Sequence, residues 1–142
     1  MGFWTTILDQ IVARSGSPPP FVRTMGLPPI DRWEQGRIWA RWTVDPKVFH
    51  NAGAVFGGFL SALADHMLGL VSMTVLKDDE MISTSDLRVS YFRPVKDGVL
   101  EIAAEVIHRG RRRLEVEVQF RQDGKLAAKA TATQVLVPMG GE

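Results

Sequence analysis

One charged side chain lies inside the longest apolar stretch of the chain, eight residues after the first of two glycines. The stretch runs over 55–76, the charge is Asp65, and the glycines are Gly57 and Gly58. Burial favours the neutral form of a carboxyl group, so an unpaired aspartate in an apolar helix is costly. A carboxylate can act as a general base or a nucleophile, and the free amides at a helix start attract negative charge. We therefore interpret Asp65 as a functional residue.

The elements that must position these residues follow from the hydrophobic patterns. The apolar stretch predicts a helix over 57–76 that is apolar nearly all round and is therefore expected to be surrounded. Its small and polar seam consists of Gly58, Ser61, Asp65, Gly69 and Ser72. Period-two alternation predicts strands over 31–44, 83–92, 100–107, 114–121 and 126–137. Because short turns join the last four strands, neighbours should be antiparallel. We predict an α+β fold with an antiparallel sheet curled around one long central helix.

The first thirty residues read differently from the rest. Phe3, Ile7, Leu8 and Ile11 fall on one helical face, which predicts a short amphipathic helix. The proline-rich stretch 15–29 predicts a connecting arm rather than an element, because proline lacks an amide donor. The expected organisation is an N-terminal helix and arm over 1–30, followed by one domain over 31–142.

Composition excludes several classes of function. The chain has 142 residues, a net charge of +1 and no cysteine. The balanced charge argues against nucleic acid as a partner, and the lack of cysteine excludes thiolate chemistry. Asp65 and His66 at the centre of the apolar stretch argue against a membrane span, and the first residues do not resemble a signal peptide. We expect a cytoplasmic protein with no metal, no cofactor and no membrane partner.

Two stretches carry a resemblance to a known family. The segment 51–58 followed by Leu63, Ala64 and Asp65 resembles the signature of hotdog-fold acyl-CoA thioesterases of the phenylacetate-degradation type. The segment 84–94, which ends in Arg93-Pro94, is similar to the next strand of that family. The resemblance covers about residues 31–137 and implies a hotdog fold, an acyl-CoA substrate, and a homodimer that assembles into a homotetramer.

The resemblance also implies roles for individual residues. Asp65 would be the nucleophile or general base, and Gly57 would donate its helix N-terminal amide to the oxyanion. Asn51 would orient the carbonyl group or the water, and Thr84 would lie near the reacting group; both are otherwise ordinary turn and strand residues. Eight helical residues separate Gly57 from Asp65 by about 12 Å, an awkward span within one chain. In hotdog proteins the two groups come from different subunits.

A second group of residues is expected to bind the substrate: His50, Phe56, Gly58, Arg111 and Arg112. The arginines belong to the run 109–113 at a predicted hairpin turn, and guanidinium groups suit the phosphates of coenzyme A; a solvated turn is the alternative. The family commonly has histidine where this chain has Phe56. His66 follows Asp65 on another helical face, and we interpret it as a packed histidine.

Two other functions stay open at this point. Loss of the usual histidine at Phe56 favours a protein that binds acyl-CoA without turnover. Hotdog enoyl-CoA hydratases pair an aspartate with a histidine five residues on, a spacing that Asp45 and His50 share, although Pro46 follows Asp45 directly. Thiol release from acyl-CoA would separate hydrolysis from both alternatives.

Overall fold

One antiparallel sheet and one long helix account for most of the chain. The structure, a computed structural model, describes residues 2–139. Within them the helices are α1 (Phe3–Val12), α2 (Pro20–Met25) and α3 (Gly57–Met73). The strands are β1 (Ile30–Glu34), β2 (Arg37–Thr43), β3 (Glu80–Tyr91), β4 (Val99–Arg109), β5 (Arg113–Gln122) and β6 (Lys125–Pro138). A 3₁₀ turn, Pro46–Val48, precedes α3.

The six strands form a single sheet in the order β1-β2-β4-β5-β6-β3, with every neighbouring pair antiparallel. Strand β3 directly follows α3 in sequence but lies at the far edge, where it pairs with β6. Helix α3 packs against β2, β3, β4, β5 and β6. The predicted architecture, an antiparallel sheet curled around one central helix, is confirmed.

The core lies between α3 and the concave face of the sheet. From the helix it takes Phe59, Leu60, Leu63, Ala64, Met67, Leu68, Leu70 and Val71, and each of these is at most 4% exposed. The facing positions of β6 are small, namely Ala128, Ala130 and Ala132, so the helix can approach the sheet closely there. Burial of each leucine or phenylalanine contributes about 1.5–3 kcal/mol, which makes this interface the main source of stability.

The C-terminal end of α3 is joined to the sheet by hydrogen bonds. At its C-terminal end, Arg109 Nη1 donates to the Val75 carbonyl oxygen at 2.7 Å, and its other Nη binds both Glu80 oxygens at 2.9 Å. Burial alone would raise the pKa of Glu80, but the Lys77 backbone amide and the Arg109 guanidinium outweigh it and hold that pKa below its usual value. Arg109, one of the four arginines in the stretch 109–113, is therefore a structural residue.

Three local expectations differ from the structure. The strand predicted over 31–44 is a hairpin, because Gln35 and Gly36 form a two-residue turn in which Gly36 has a φ of 86°. The proline-rich arm contains α2, which starts with Pro20 and stops at Gly26 in the left-handed conformation. Helix α3 ends at Met73 rather than at 76. Directly after its end, the Thr74 hydroxyl donates to the Val71 carbonyl.

The N-terminal helix is present as predicted and lies against the body of the fold. Leu8 is completely buried in the common core. Asp78 Oδ1 accepts the amide of Phe3 at 2.8 Å, and Trp4 Nε1 donates to the carbonyl of Glu80 at 2.8 Å. These contacts join α1 to the connection between α3 and β3. Within residues 2–139, none of the helices combines the length and apolar character needed to cross a membrane.

Candidate active site

The glycine turn before α3 leaves two backbone amides free. The chain enters the turn through Val55, whose amide donates to Val95, and Phe56, whose amide donates to Val48 at 3.0 Å. The Phe56 carbonyl then accepts from Phe59 at 3.0 Å and from Leu60 at 3.5 Å. The amides of Gly57 and Gly58 have no acceptor within residues 2–139. They point out of the positive end of the helix dipole, where negative charge is stabilised.

A groove of about 350 Å³ runs beside this turn. Its lining includes His50, Val55, Gly57, Leu60, Tyr91 and Arg93. Strand β3 thus ends at the glycine turn, and the residues that follow it form the opposite wall. The structure brings together His50 and Gly57, two of the predicted site residues, and adds Tyr91 and Arg93 to them.

Tyr91 is the residue that sequence reasoning missed as part of the site. Its hydroxyl donates to the Gly57 carbonyl at 2.8 Å and lies 2.6 Å from Ser61 Oγ, which bonds the same carbonyl at 3.1 Å. A Cβ added to Gly57 would lie 3.2 Å from the tyrosine ring. Tyr91 is the only tyrosine of the chain, and it directly precedes the Phe-Arg-Pro end of the strand. These two sequence features are the signals that could have identified Tyr91 as a site residue.

Asp65 lies on the solvent-facing side of α3, which corrects the expectation of a helix surrounded on all sides. It is exposed in the single chain, and its carboxylate makes no hydrogen bond or ion pair with the described residues. The predicted polar seam forms most of this open face: Gly58 and Asp65 are exposed, and Ser61 and Gly69 are half-buried. Ser72 is the exception, because it is buried and bonds the Leu68 carbonyl. One chain covers one side of the helix only.

Phe56 stands at the N-cap with its side chain over the helix start. It is 44% exposed, and a Cβ added to Gly58 would lie 2.7 Å from Phe56 Cε2, so the ring rests directly on that glycine. The Phe56 ring also neighbours Phe59, whose ring packs on Trp42 with centroids 4.9 Å apart. The rim of the glycine turn is therefore apolar where a histidine would make it polar.

Asn51 and Thr84 occupy different surroundings. Asn51 is exposed in the tight turn 50–54 that leads to α3, where the Gly53 amide donates to His50. His50 Nδ1 accepts the Ala52 amide at 3.0 Å. The Thr84 hydroxyl donates to Oε1 of the buried Gln134 at 2.6 Å, at a β-bulge in β3. Thr84 is exposed, but it lies on the same face of the sheet as Gln134, its cross-strand partner on β6.

Arg111 and Arg112 lie at the other end of α3. They line a shallow groove of about 470 Å³ at the β4–β5 turn, together with His108, Arg113 and Glu115. This turn neighbours the C-terminal end of the helix through Arg109 and Val75. The 17 residues of α3 span about 25 Å. Within one chain, the two arginines and the glycine turn are therefore separated by the length of the helix.

The hydratase pair of Asp45 and His50 is engaged in local turns. Asp45 Oδ1 accepts the Lys47 amide at 3.0 Å and caps the 3₁₀ turn, while His50 holds the amide of Ala52. Within residues 2–139, groups of three or more histidine, aspartate and glutamate side chains that could hold a metal ion are not found.

His66 packs beneath the N-terminal arm. Its ring meets Phe21 of α2 edge to face, with centroids 5.5 Å apart. Burial lowers the pKa of His66 from 6.5 to about 4, so the imidazole is neutral at pH 7. The ring is held as a packing residue beside Asp65, in agreement with the expectation from sequence.

A sheet wrapped around one helix that begins at a glycine turn with free amides defines a hotdog protein. The chain belongs to the Thioesterase superfamily, whose family model matches residues 52–128. The resemblance to phenylacetate-degradation thioesterases is thereby confirmed, and the family supports the expected enzyme class, a thioester hydrolase.

Individual relatives agree with this assignment. A Caenorhabditis elegans protein assigned as an esterase is 33% identical over 107 residues, which cover 73% of this chain and 63% of that protein, less than two thirds of its length. A phenylacetic acid degradation-related protein of Ralstonia eutropha JMP134, assigned as a thioesterase, is 28% identical with a TM-score of 0.80 over 90% of this chain and 98% of that one. A thioesterase-assigned protein of Streptococcus pneumoniae TIGR4, solved with coenzyme A, is 27% identical with a TM-score of 0.70 over 78% and 88% of the two chains.

The lowered pKa of His66 predicts a pH dependence of stability. The unfolded histidine binds its proton near pH 6.5 and the folded one only near pH 4. The unfolded state therefore gains protons first as pH falls, and up to about 3 kcal/mol of unfolding free energy is lost across this window. Urea unfolding of the wild type and His66→Gln at several pH values measures the difference, in which other titrating groups cancel. The exposed His108→Gln should keep the wild-type dependence; a His66→Gln curve parallel to the wild type would contradict the prediction.

Proposed function

We propose that the protein is an acyl-CoA thioesterase in which Asp65 is the nucleophile or general base and the Gly57 and Gly58 amides stabilise the oxyanion. The observation that carries this proposal is the pair of free amides at the helix start, with an unpaired carboxylate on the open face of the same helix. Hydrolysis of a thioester develops negative charge on the carbonyl oxygen. Preorganised amide donors lower its energy, and a carboxylate attacks the carbonyl or activates water.

The proposed site needs two copies of the chain. Gly57 and Asp65 lie about 12 Å apart along one helix, too far to meet at one carbon atom. The open face of α3 borders β3, a 12-residue edge strand whose outer side is unpaired among the described residues. Exposed edges of this length attract another strand. A twofold dimer through β3 and α3 covers both surfaces and brings the glycine turn of one subunit to the Asp65 of the other.

This geometry also divides the substrate between the subunits. Arg111 and Arg112 lie beyond the C-terminal end of α3, so they are nearer to Asp65 than to Gly57 of their own chain. In the proposed dimer, the subunit that gives the carboxylate also gives the arginines for the coenzyme A phosphates. The coenzyme A in the S. pneumoniae neighbour supports this class of substrate. Assembly of two dimers into a tetramer remains a prediction.

Other predicted residues take roles in the same scheme. His50 lines the groove beside Gly57, and Asn51 lies in the turn that leads to it, so both are placed to contact the thioester or the water. Phe56 covers Gly58 with an apolar ring, which favours an apolar or aromatic acyl group. Thr84 lies on the edge strand β3, where the partner subunit would pack, and this position keeps it a candidate for a place near the reacting group.

A second function has one observation in its favour. With Phe56 in place of the usual histidine, the chain is a candidate for binding acyl-CoA without turning it over. Tight binding of an acyl-CoA together with no thiol release would select this alternative. The local turn bonds of Asp45 and His50 give the hydratase alternative no comparable support.

Replacement of the carboxylate tests the proposed chemistry. Asp65→Asn removes the base or nucleophile, and kcat on an acyl-CoA panel should fall at least 10²-fold. Free-thiol release measures the rate. The melting temperature should not fall, because Asp65 makes no hydrogen bond or ion pair with the described residues of its own chain. Asp97→Asn, another exposed aspartate, is the control and should be fully active; full activity in Asp65→Asn would exclude the mechanism.

A matched pair of variants tests the amide donor. Gly57→Pro deletes the amide, yet proline is favoured at the first helical position, and the φ of −70° and ψ of 147° at Phe56 suit a residue before proline. Gly57→Ala adds the same Cβ beside Tyr91 and keeps the amide. We expect kcat of the proline variant to be about 10²-fold below that of the alanine variant. Equal rates in the two variants would remove Gly57 from the oxyanion site.

Mixed dimers test the sharing of the site. Asp65→Asn and Gly57→Pro subunits, co-expressed with different tags, give heterodimers in which one site carries both changes and the other carries neither. Because a twofold dimer has two equivalent sites, the purified heterodimer should recover about half of the wild-type activity. Each homodimer alone serves as the inactive control. No recovery in the heterodimer would mean that both groups come from one chain.

A further inference from the structure

The first peptide group of α3 is held by two hydroxyl groups from outside the helix backbone. Tyr91 of β3 donates to the Gly57 carbonyl at 2.8 Å, and Ser61, one turn along the helix, bonds it at 3.1 Å. The two hydroxyls lie 2.6 Å apart and form a closed triangle with that oxygen. A helical serine commonly bonds the carbonyl four residues earlier, as Ser72 also does, so the bond that requires another reason is the one from Tyr91.

The tyrosine ring adds a steric hold to the polar one. A Cβ at residue 57 would lie 3.2 Å from Tyr91 Cζ and 3.2 Å from its hydroxyl oxygen. The hydroxyl end of the ring therefore lies close to Gly57, and any side chain at that position would require the ring to shift. On the other side, the bond from the Phe56 amide to Val48 fixes the preceding residue. Three kinds of contact thus fix Gly57: the hydrogen bond of the preceding residue to Val48, the ring of Tyr91, and the hydrogen bonds to its own carbonyl.

The contacts to the Gly57 carbonyl control one of the free amides, that of Gly58. A peptide group is planar, so fixing the Gly57 carbonyl also fixes the Gly58 amide on the opposite side of the same plane. A donor on the carbonyl also polarises the group and strengthens its amide as a hydrogen-bond donor. The amides of Gly57 and Gly58, at the start of α3, have no acceptor among the described residues. The Tyr91 hydroxyl consequently acts on the atoms that face the groove without touching the substrate carbonyl itself.

We infer that Tyr91 is a positioning residue that orients and polarises the Gly58 amide donor of the oxyanion site, with Ser61 as its partner. The expected effect on kcat rests on the proposed thioesterase function. The expected effect on the Gly58 amide rests only on the contacts among Tyr91, Ser61 and the Gly57 carbonyl. Because the carbonyl of a bound substrate needs the donors most when it becomes an oxyanion, the effect belongs to kcat rather than to KM.

Tyr91→Phe is the test, since it keeps the ring on Gly57 and removes only the hydroxyl. We expect kcat to fall about tenfold, which corresponds to 1.36 kcal/mol of transition-state stabilisation, with KM unchanged. Ser61→Ala keeps the bond from Tyr91 to Gly57 and should lose less. Ser90→Ala, the exposed neighbour on β3, is the matched control and should behave as the wild type. An unchanged kcat, or a raised KM at unchanged kcat, would overturn the inference.

A readout without turnover keeps this inference separate from the proposed function. In amide NMR spectra, the Gly58 proton resonance should move upfield in Tyr91→Phe and remain in place in Ser90→Ala. Because Tyr91 is the only tyrosine, growth with 3-fluorotyrosine replaces this one hydroxyl by a more acidic donor, and both kcat and the Gly58 resonance should be retained. If the wild type releases no thiol, the proposed function fails and the NMR result still decides; an unmoved Gly58 resonance overturns the role of Tyr91.

Discussion

A single sheet covers only one side of an apolar helix, and the structure follows from this limit. The concave sheet face buries the row from Phe59 to Val71, while the row of Gly58, Ser61, Asp65 and Gly69 stays open. A carboxylate on the open row does not carry the desolvation cost that it would have in the core. The fold therefore leaves Asp65 accessible in the single chain, and its burial depends on what covers that face.

The two ends of α3 are fastened by different chemistry, and the difference suits what each end must do. At the C-terminal end, Arg109 donates to the carbonyl of Val75, just beyond the helix, and links it to Glu80. At the N-terminal end, the fastening bonds are directed to the carbonyls of Phe56 and Gly57, while two amides stay free. These bonds fix the turn and leave the Gly57 and Gly58 amides free to donate, which is the condition for preorganised binding of an anion.

The main elements could be predicted because their signals are local. Ile38, Ala40 and Trp42 alternate in sequence and are all buried in β2, and the apolar run predicts α3. The hairpin turn at Gln35 and Gly36 does not follow from the sequence pattern, because a lone glycine in a strand pattern also fits a bulge. Helix α2 had both of its signals, a proline at its start and a glycine after its end, but its three consecutive prolines favoured an irregular arm.

The candidate site was predictable only in part, for a physical reason. Gly57 and Asp65 share one helix, so their relation follows from spacing alone. Tyr91 reaches Gly57 through a strand 34 residues later in sequence, and no local pattern reports that a strand end will meet a helix start. The exposure of Asp65 was also hidden, because an apolar helix pattern does not reveal how many of its sides one chain can cover.

Phe56 shows how little the glycine turn depends on the side chain before it. Residue 56 contributes through its backbone: its amide bonds Val48, and its carbonyl accepts from Phe59 and Leu60. No side-chain bond caps the helix at this position, so a histidine is not required to form the turn or to free its amides. What the phenylalanine changes is the rim, where its ring covers Gly58 and continues the apolar surface of Phe59 and Trp42. In the proposed site, a residue at this position selects what approaches the amides, while the Gly57 peptide and the groups that hold it determine how strongly the amides bind.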